Sequence, residues 1–395
     1  MEIKRDFYLN ELIDRMDNGL IKIVTGIRRC GKSYLLDPIF KDYLIKQGIE
    51  KDHIIKLSLD ERTNSKYLDP DTLDQYIRSL IIDNKKYYLI LDEIQLVKEF
   101  ESVLIGFMHI DNVEIYVTGS NSKFLSSDIV TEFRGRGDEI RVYPLSFDEF
   151  FSVFEGSEEK ALNEYYTYGG LPLTLLSKTE NTKTNYLKTQ KENVYINDIV
   201  ERNNVQNREE LEILVQIIAS NIGSLTNPLK LSNAFKERDR SSTMTDKTIY
   251  NYLGYLQDAF MIEKARRFDV RGKRFIETPQ KYYFTDMGIR NSFLDFRQSE
   301  EISHTMENVI YLELRKRGYN VDVGTVEIRE GDSKKQLEMK TTEKIAQEQR
   351  SLLNVNDFFK KIIIVGDNIK KSRYENGIII MSIYDFLLDP NSLNY

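Results

Sequence analysis

The chain has 395 residues, 41% of them hydrophobic and 30% charged, and this length predicts two to four domains rather than one core. Its formal net charge of −7 argues against a protein that coats nucleic acid, while leaving room for a local basic patch. The single cysteine excludes an internal disulfide, fits a cytoplasmic location and, with only three histidines, excludes an ordinary His/Cys zinc site.

The N-terminal segment is too charged for a signal peptide. No apolar run approaches the roughly 18 residues that a membrane helix needs. We therefore expect no membrane association.

Five short apolar runs alternate with amphipathic segments between residues 20 and 144. Near-continuous runs of Ile, Val, Leu and Tyr are typical of parallel strands that are covered on both faces. The segments between them have helical spacing, so the alternation predicts repeated βαβ units in an α/β doubly wound sheet. The predicted strands are 20–25, 53–59, 87–92, 113–118 and 139–143.

The first predicted strand runs into a glycine-punctuated loop, Gly26-x-x-x-x-Gly31-Lys32-Ser33, which precedes a helical segment. Glycines let backbone N–H groups curl around a phosphate, and the helix N-terminus adds partial positive charge. Lys32 is then placed to reach the β- and γ-phosphates, and the Ser33 hydroxyl to coordinate Mg²⁺. The alternative is a plain glycine turn, but the strand before it and the helix after it favour a nucleotide site.

The third strand ends in Asp92-Glu93. A carboxylate at the end of a buried strand is placed to hold Mg²⁺, and an adjacent one suits a general base that polarises the attacking water. The alternative is an exposed acidic turn. The fourth strand ends at Ser120-Asn121, which would face the γ-phosphate if this strand lay between the first and the third; a common Gly-Ser-Asn turn is the alternative.

Arg134 and Arg136 come just before the fifth strand. An arginine near the γ-phosphate, from the same or a neighbouring subunit, stabilises transition-state charge. Spacing alone favours this interpretation no more than a solvated surface turn.

Beyond residue 145 the strand pattern gives way to helices that are interrupted at YGGLP (168–172). Residues 207–295 contain three helical segments followed by two strand-like runs, which is the plan of a winged helix-turn-helix. From about residue 296 a helix, a strand, a further helix near 343–353, a strand at 360–366 and a last helix predict a small α/β unit.

The stretches GIRRCGKS, LDEIQ, TGSN, FRGRGDEI and PLSFDEF, in this order and spacing, closely resemble a large prokaryotic family of AAA+ P-loop ATPases, relatives of the archaeal ATPase and STAND branches. The resemblance implies a P-loop NTPase core at 1–145, a helical lid at 146–206, a winged helix at 207–295 and a degenerate nuclease-like α/β domain at 296–395. It implies that ATP and Mg²⁺ are bound, that Asp92 and Ser33 coordinate the metal ion, and that Glu93 polarises the attacking water. It also implies that Asn121 is the polar sensor, that Arg134 and Arg136 form the arginine finger, and that Pro172 packs near the adenine. The nucleotide-binding residues it implies are Gly26, Ile27, Arg28, Arg29, Cys30, Gly31, Lys32, Ser33, Tyr34 and Pro172.

Some of these residues allow a second interpretation. By chemistry alone, YGGLP is equally a helix-breaking turn, and Arg28 and Arg29 are by default solvent-exposed. Cys30 has no histidine or second cysteine nearby in sequence, so catalysis by it is not expected. Because the loop is electropositive, we hypothesise that Cys30 is an oxidation-sensitive thiol that ATP protects from alkylation.

The C-terminal domain offers Asp332 and Glu338-Met339-Lys340, the residue types of a metal-dependent nuclease. Only six positions separate Asp332 from Glu338, so the catalytic hairpin is expected to be shortened or lost. Glu307 and Glu313 on the preceding helix are further candidates, for which a solvated helix face is the alternative.

The predicted wing, residues 264–281, carries a surplus of basic side chains that suits a phosphate backbone. A protein-binding winged helix with a solvated basic edge fits the sequence as well. The neighbouring helix is rich in Tyr and Leu, which argues against base-specific readout.

The sequence therefore predicts an ATP-driven switch that hydrolyses ATP, acts on a protein or DNA partner and forms a homo-oligomer if its arginine finger works in trans. The alternatives are a nucleotide-binding module without turnover and an ATP-dependent nuclease.

Overall fold

A computed structural model of the chain describes residues 3–119, 135–270, 273–297, 302–325, 349, 352–353 and 359–394. The chain divides into two compact units. The first comprises Met1–Phe154, Tyr168–Gln206 and Leu253–Ile262, and the second comprises Glu155–Thr167, Asn207–Tyr252 and Glu263–Tyr395. The four-domain division predicted from the sequence stays a prediction.

The first unit is built on a five-stranded sheet in which every neighbouring pair is parallel. Its strand order is β2-β3-β4-β1-β5, which confirms the predicted α/β sheet. The fourth strand lies between the first and the third, as expected for the additional-strand class. The strands are β1 (Ile21–Thr25), β2 (Ile54–Ser58), β3 (Tyr87–Asp92), β4 (Val113–Gly119) and β5 (Gly137–Arg141).

Helices on both faces bury this sheet. On one face, alternate residues of β1 to β4, such as Ile23, Leu89 and Val117, form an apolar core with α4 and α5 (the helices Pro70–Leu80 and Phe100–Met108). On the other face, Lys22 and Glu114 form a fully buried ion pair, with 2.5 Å between Lys22 Nζ and Glu114 Oε1. The remaining helices of this part are α1 (Asp6–Asp14), α2 (Lys32–Tyr34), a π-helical stretch (Leu35–Phe40) and α3 (Lys41–Lys46), with 3-10 turns at Lys51–His53, Arg62–Leu68 and Ile94–Leu96.

Helices follow the last strand of the sheet. The first of them begins at a capping box, in which the Ser146 backbone N–H donates to the Glu149 carboxylate at 3.0 Å. The break predicted at YGGLP lies between two helices, the second of which starts at Pro172. The helices are α6 (Phe147–Phe151), α7 (Glu158–Tyr168), α8 (Pro172–Leu176), α9 (Glu180–Gln190), a π-helical stretch (Lys191–Ile196) and α10 (Asn197–Asn203).

The predicted three helices and two strands between 207 and 295 are present. Asn207 and Asn227 cap the first two helices with their side-chain oxygens. Whether this part is a winged helix stays a prediction. The elements are α11 (Arg208–Ser220), β6 (Leu225–Thr226), α12 (Pro228–Arg238), α13 (Asp246–Asp258), β7 (Ile262–Asp269), β8 (Arg274–Phe284) and α14 (Met287–Phe293).

The C-terminal part contains α15 (Ile302–Lys316), β9 (Val323–Thr325), β10 (Ile362–Val365), β11 (Ser372–Arg373), β12 (Ile379–Ser382) and α16 (Ile383–Leu388). β9 extends the order β6-β8-β7-β9, and the last three strands form a sheet of their own, in the order β10-β12-β11. β11 and the buried strand β12 were not predicted from the sequence. Asp332, Glu338 and Lys340 lie outside the described residues, so the nuclease-like domain stays a prediction.

Glu307 and Glu313, the other nuclease candidates, both have partners on their own unit. Glu307 accepts hydrogen bonds from Lys281 at 2.7 Å and from Tyr283 at 2.5 Å. The Glu313 side chain is only 5% exposed and pairs with Arg317 at 2.7 Å, so the interpretation of a solvated helix face is wrong for this residue. No helix among the described residues has the length and apolar character needed to cross a membrane.

Candidate functional site

A cavity of about 640 Å³ opens in the first unit, where the loop after β1 and the end of β3 meet. Residues from three predicted motifs line it together. They are Arg28, Arg29, Gly31, Lys32, Ser33 and Tyr34 of the loop, Asp92 and Glu93 at the end of β3, and Pro172 at the start of α8. The carboxyl edge of the parallel sheet is where α/β folds place their ligand sites.

The loop after β1 depends on its two glycines. Gly26 has φ +145°, and a Cβ atom there would lie 2.1 Å from the Val142 carbonyl oxygen. Gly31 has φ +100°, a backbone conformation that side chains rarely adopt. The loop can therefore fold back on itself and present backbone N–H groups before the helix begins at Lys32.

Lys32 occupies the inside of this loop. Its side chain is buried, and Nζ donates to the Gly26 oxygen at 3.0 Å and to the Ile27 oxygen at 3.2 Å. The adjacent Ser33 is exposed and lines the cavity. An ammonium held by two carbonyl oxygens of the loop can exchange them for phosphate oxygens, which bind it more strongly.

The carboxylates at the end of β3 are held by the neighbouring strand β4. Asp92 is buried and accepts a short hydrogen bond from the Thr118 hydroxyl. The same hydroxyl oxygen accepts the Glu93 backbone N–H at 2.9 Å, and the Gln95 amide donates to the Glu93 carboxylate. Glu93 adopts φ 55°, which turns the chain sharply at the strand end. Thr118 thus fixes the two acidic residues relative to each other.

One wall of the cavity is apolar. It is formed by Ile3, Leu145, Pro172, Leu173 and Leu176, and the last two are nearly half exposed. A flat aromatic base fits such a surface, whereas phosphates fit the loop side.

The YGGLP turn sets the position of this wall. A Cβ atom at Gly170 would lie 2.2 Å from the Leu145 oxygen, and Leu145 N donates to the Gly170 oxygen at 2.8 Å. The turn therefore packs directly against the segment that follows the sheet, and Pro172 at its end lines the cavity.

Three loop residues predicted to bind nucleotide, Gly26, Ile27 and Cys30, do not line the cavity. Ile27 and Cys30 are fully buried, and Cys30 Sγ lies 3.5 Å from the Val142 oxygen. Any contact they make to a nucleotide is through their backbone. The hypothesis of an oxidation-sensitive, ATP-protected Cys30 requires an accessible thiol, and this side chain, at 0% exposure, is not accessible.

Of the predicted arginine and sensor residues, the structure describes only Arg136, and this residue does not line the cavity. Arg136 is exposed and precedes Gly137, which pairs with Ile21 at the amino end of β1. The loop follows the carboxyl end of β1, four residues on, so the Arg136 backbone and the loop lie at opposite ends of a strand about 13 Å long. Asn121 and Arg134 lie outside the described residues.

Several cavity residues were not predicted from the sequence. They are Ile3, Arg5, Asp60, Gln95, Leu96, Leu145, Leu173 and Leu176. A signal existed for Gln95, which follows the acidic pair in LDEIQ, and for Asp60, which follows β2 at the same sheet edge. Arg5 and Ile3 come from the N-terminal segment, and no sequence pattern connected that segment to the loop.

Oxygen donors of the kind that Mg²⁺ requires are present together. The exposed Ser33 hydroxyl and the Asp92 and Glu93 carboxylates line one cavity, and Mg²⁺ prefers carboxylate, hydroxyl and phosphate oxygens. These residues fit the ion.

Comparison with known proteins identifies the family. Residues 18–151 match the family model of an AAA domain, and residues 159–300 match a domain of unknown function, DUF8612. An uncharacterised protein of Haemophilus influenzae is 32% identical over 400 residues, with 98% of each chain covered. The chain belongs to the AAA family of P-loop ATPases.

A second relative and a solved structure are also similar to this chain. The uncharacterised protein MJ1544 of Methanocaldococcus jannaschii is 32% identical over 316 residues, covering 76% of this chain and 67% of its own. Among solved structures, the Walker-type ATPase PABY2304 of Pyrococcus abyssi aligns with a TM-score of 0.51 at 15% identity. The alignment covers 74% of this chain and 96% of that protein, and at this identity it supports the fold alone.

Proposed function

We propose that the protein binds ATP with Mg²⁺ in the 640 Å³ cavity, hydrolyses it, and uses the nucleotide state as a switch on a partner. One observation carries this proposal. The phosphate loop with Lys32 and Ser33, the acidic pair Asp92-Glu93 and an apolar wall with Pro172 line the same cavity. Membership of the AAA family supports the same chemistry.

Each residue has a role in this proposal. Lys32 exchanges the Gly26 and Ile27 carbonyl oxygens for the β- and γ-phosphate oxygens. Ser33 and Asp92 hold Mg²⁺, which when bound neutralises charge on the phosphates. Glu93 accepts a hydrogen bond from the attacking water and orients it in line with the γ-phosphate. Asn121 serves as the polar sensor.

The role of the arginine finger depends on a second subunit. Because Arg136 precedes β5 at the sheet edge opposite the loop, its distance from its own cavity favours action in trans. We therefore propose that Arg136, with Arg134, completes the site of a neighbouring copy in a homo-oligomer.

The switch has a physical route through α10 and the π-helical stretch before it. The Tyr195 hydroxyl donates to the Arg28 oxygen at 3.0 Å, and Asp198 pairs with the Arg28 guanidinium at 2.8 Å. Asp198 also pairs with Arg202 on the same helix. A phosphate that attracts Arg28 competes with Asp198, so occupancy of the loop is transmitted to these helices.

The partner is proposed to be a protein rather than DNA. Of the basic side chains in 264–281, Arg266 pairs with Asp322, Arg274 with Asp269 and Lys281 with Glu307. Each pairing reduces the positive charge offered to a phosphate backbone. DNA stays the testable alternative. Measuring particle mass and ATPase rate with and without DNA, in ATP and in ADP, distinguishes the two partners.

The test of nucleotide binding is Lys32→Ala against Lys46→Ala. Lys46 is exposed at the other end of the same helical segment, so its loss controls for charge and helix content. We expect Lys32→Ala to weaken ADP binding by about 100-fold or more and Lys46→Ala to leave it unchanged. Equal affinities in the two variants, measured by calorimetry, would remove Lys32 from the site.

A module that binds nucleotide without turnover is the alternative within the same family. Glu93 distinguishes the two, since a general base contributes only to hydrolysis.

A further inference from the structure

The N-terminal segment places a buried arginine against the phosphate loop. Arg5 is 4% exposed, and its guanidinium reaches three separate parts of the first unit. Nη1 donates to the Cys30 oxygen at 3.1 Å, Nη2 donates to the Tyr143 oxygen at 2.7 Å, and Nε lies 3.1 Å from Glu149 Oε1. The side chain also lies over the ring of Tyr8, 4.6 Å from its centroid.

The bond to Cys30 has a consequence for the next residue. A trans peptide is planar, and its carbonyl oxygen and N–H point in opposite directions. Fixing the Cys30 oxygen on Arg5 therefore fixes the direction of the Gly31 N–H. Gly31 lines the cavity and has φ +100°, so without such a tie this peptide is among the freest of the loop to rotate.

We propose that Arg5 is a positioning residue that orients the Cys30–Gly31 peptide so that its N–H faces the nucleotide's β-phosphate. This inference rests on the proposed nucleotide site. Arg5 lines the cavity but acts through the Gly31 backbone amide. Because Arg5 holds the Cys30 oxygen of the same peptide, this amide binds phosphate without having to reorient. Glu149 holds the guanidinium in place: it is buried at the start of α6, where it also accepts the Ser146 N–H.

The planar guanidinium is required because three acceptors lie around it. A lysine in its place keeps the charge for Glu149 but lacks the fork that bridges two carbonyl oxygens at once. Replacing Arg5 with lysine therefore separates the effect of its positive charge from the effect of its planar hydrogen-bonding geometry.

The experiment compares wild type, Arg5→Ala, Arg5→Lys and Arg15→Ala. Arg15 is the matched control, because it lies at the end of α1, pairs with Asp138 at 3.1 Å and does not line the cavity. Affinities for ADP, AMP and inorganic pyrophosphate are measured by competition against a fluorescent ATP analogue, with circular dichroism confirming the fold.

In both Arg5 variants we expect ADP and pyrophosphate affinities to fall about 10- to 100-fold while AMP affinity changes less than threefold. Arg15→Ala should match wild type. Equal losses for AMP and ADP, or full recovery of ADP affinity by Arg5→Lys, would overturn the proposal. Wild-type protein that binds neither ADP nor pyrophosphate would instead overturn the proposed nucleotide site itself.

Discussion

The tight contact at the YGGLP turn gives a prediction whose size follows from the structure. Gly170→Ala would place a Cβ atom 2.2 Å from the Leu145 oxygen and 3.1 Å from its carbonyl carbon and its nitrogen. Since such contacts essentially never fall below 3.0 Å, the two segments must separate by about 0.8 Å. All three atoms are backbone, so no side-chain rotation relieves the contact. That separation also breaks the 2.8 Å hydrogen bond from Leu145 N to the Gly170 oxygen.

Overpacking of this kind costs about 1–3 kcal/mol, and the lost hydrogen bond about 1 kcal/mol more, so we expect a loss of about 2–4 kcal/mol. In a unit of this size, Tm falls by about 2–4 °C per kcal/mol, so the expected loss predicts a drop of about 4–16 °C by differential scanning calorimetry. ADP binding should weaken as well, because Pro172 follows the displaced turn into the cavity.

Gly254→Ala is the matched control. Gly254 lies inside α13 with nothing within 4 Å of its added Cβ, so the substitution should stabilise the protein by about 0.5–1 kcal/mol. If Gly170→Ala melts with the wild type and binds ADP equally, the packing of the turn against Leu145 is not as described.

Three further perturbations test other parts of the account. Thr118→Val leaves the buried Asp92 without its hydroxyl donor and should cost about 1–3 kcal/mol in chemical denaturation; an unchanged midpoint would contradict this. Tyr195→Phe removes the bond to the Arg28 oxygen and should weaken ADP binding about two- to tenfold by calorimetry, whereas a tighter complex would count against the coupling. Burial raises the pKa of Tyr282 to about 12, while an unfolded tyrosine ionises near pH 10. The stability it contributes is complete below about pH 10 and is lost as the pH rises through about 12, so Tyr282→Phe should flatten that part of the alkaline unfolding curve; an identical curve would refute it.

The core of the fold could be predicted because its sequence carries strong local patterns. The buried strands of the first sheet are continuous apolar runs, and each observed strand lies within about two residues of its predicted range. The acidic pair and the phosphate loop follow strands β3 and β1, and parallel topology brings those ends together.

The rest depends on contacts between residues distant in sequence. Arg5 reaches Tyr143 across 138 positions, and neither residue stands in a pattern that suggests the other. The burial of Cys30 follows from the fold of the loop over Val142, which an electropositive sequence around the thiol does not reveal. β12 was missed because its apolar run continues directly into α16, and a short apolar run does not distinguish a strand from the start of a helix.

Phosphate release from ATP by the Glu93→Gln protein is the most direct test of the central claim. The matched control is Glu99→Gln, an exposed carboxylate just beyond the same turn that does not line the cavity. With Mg²⁺ present, we predict that Glu93→Gln lowers the single-turnover rate by about 10²- to 10⁴-fold while retaining bound ATP, and that Glu99→Gln turns over as the wild type does. A Glu93→Gln protein that hydrolyses ATP at the wild-type rate would contradict the account.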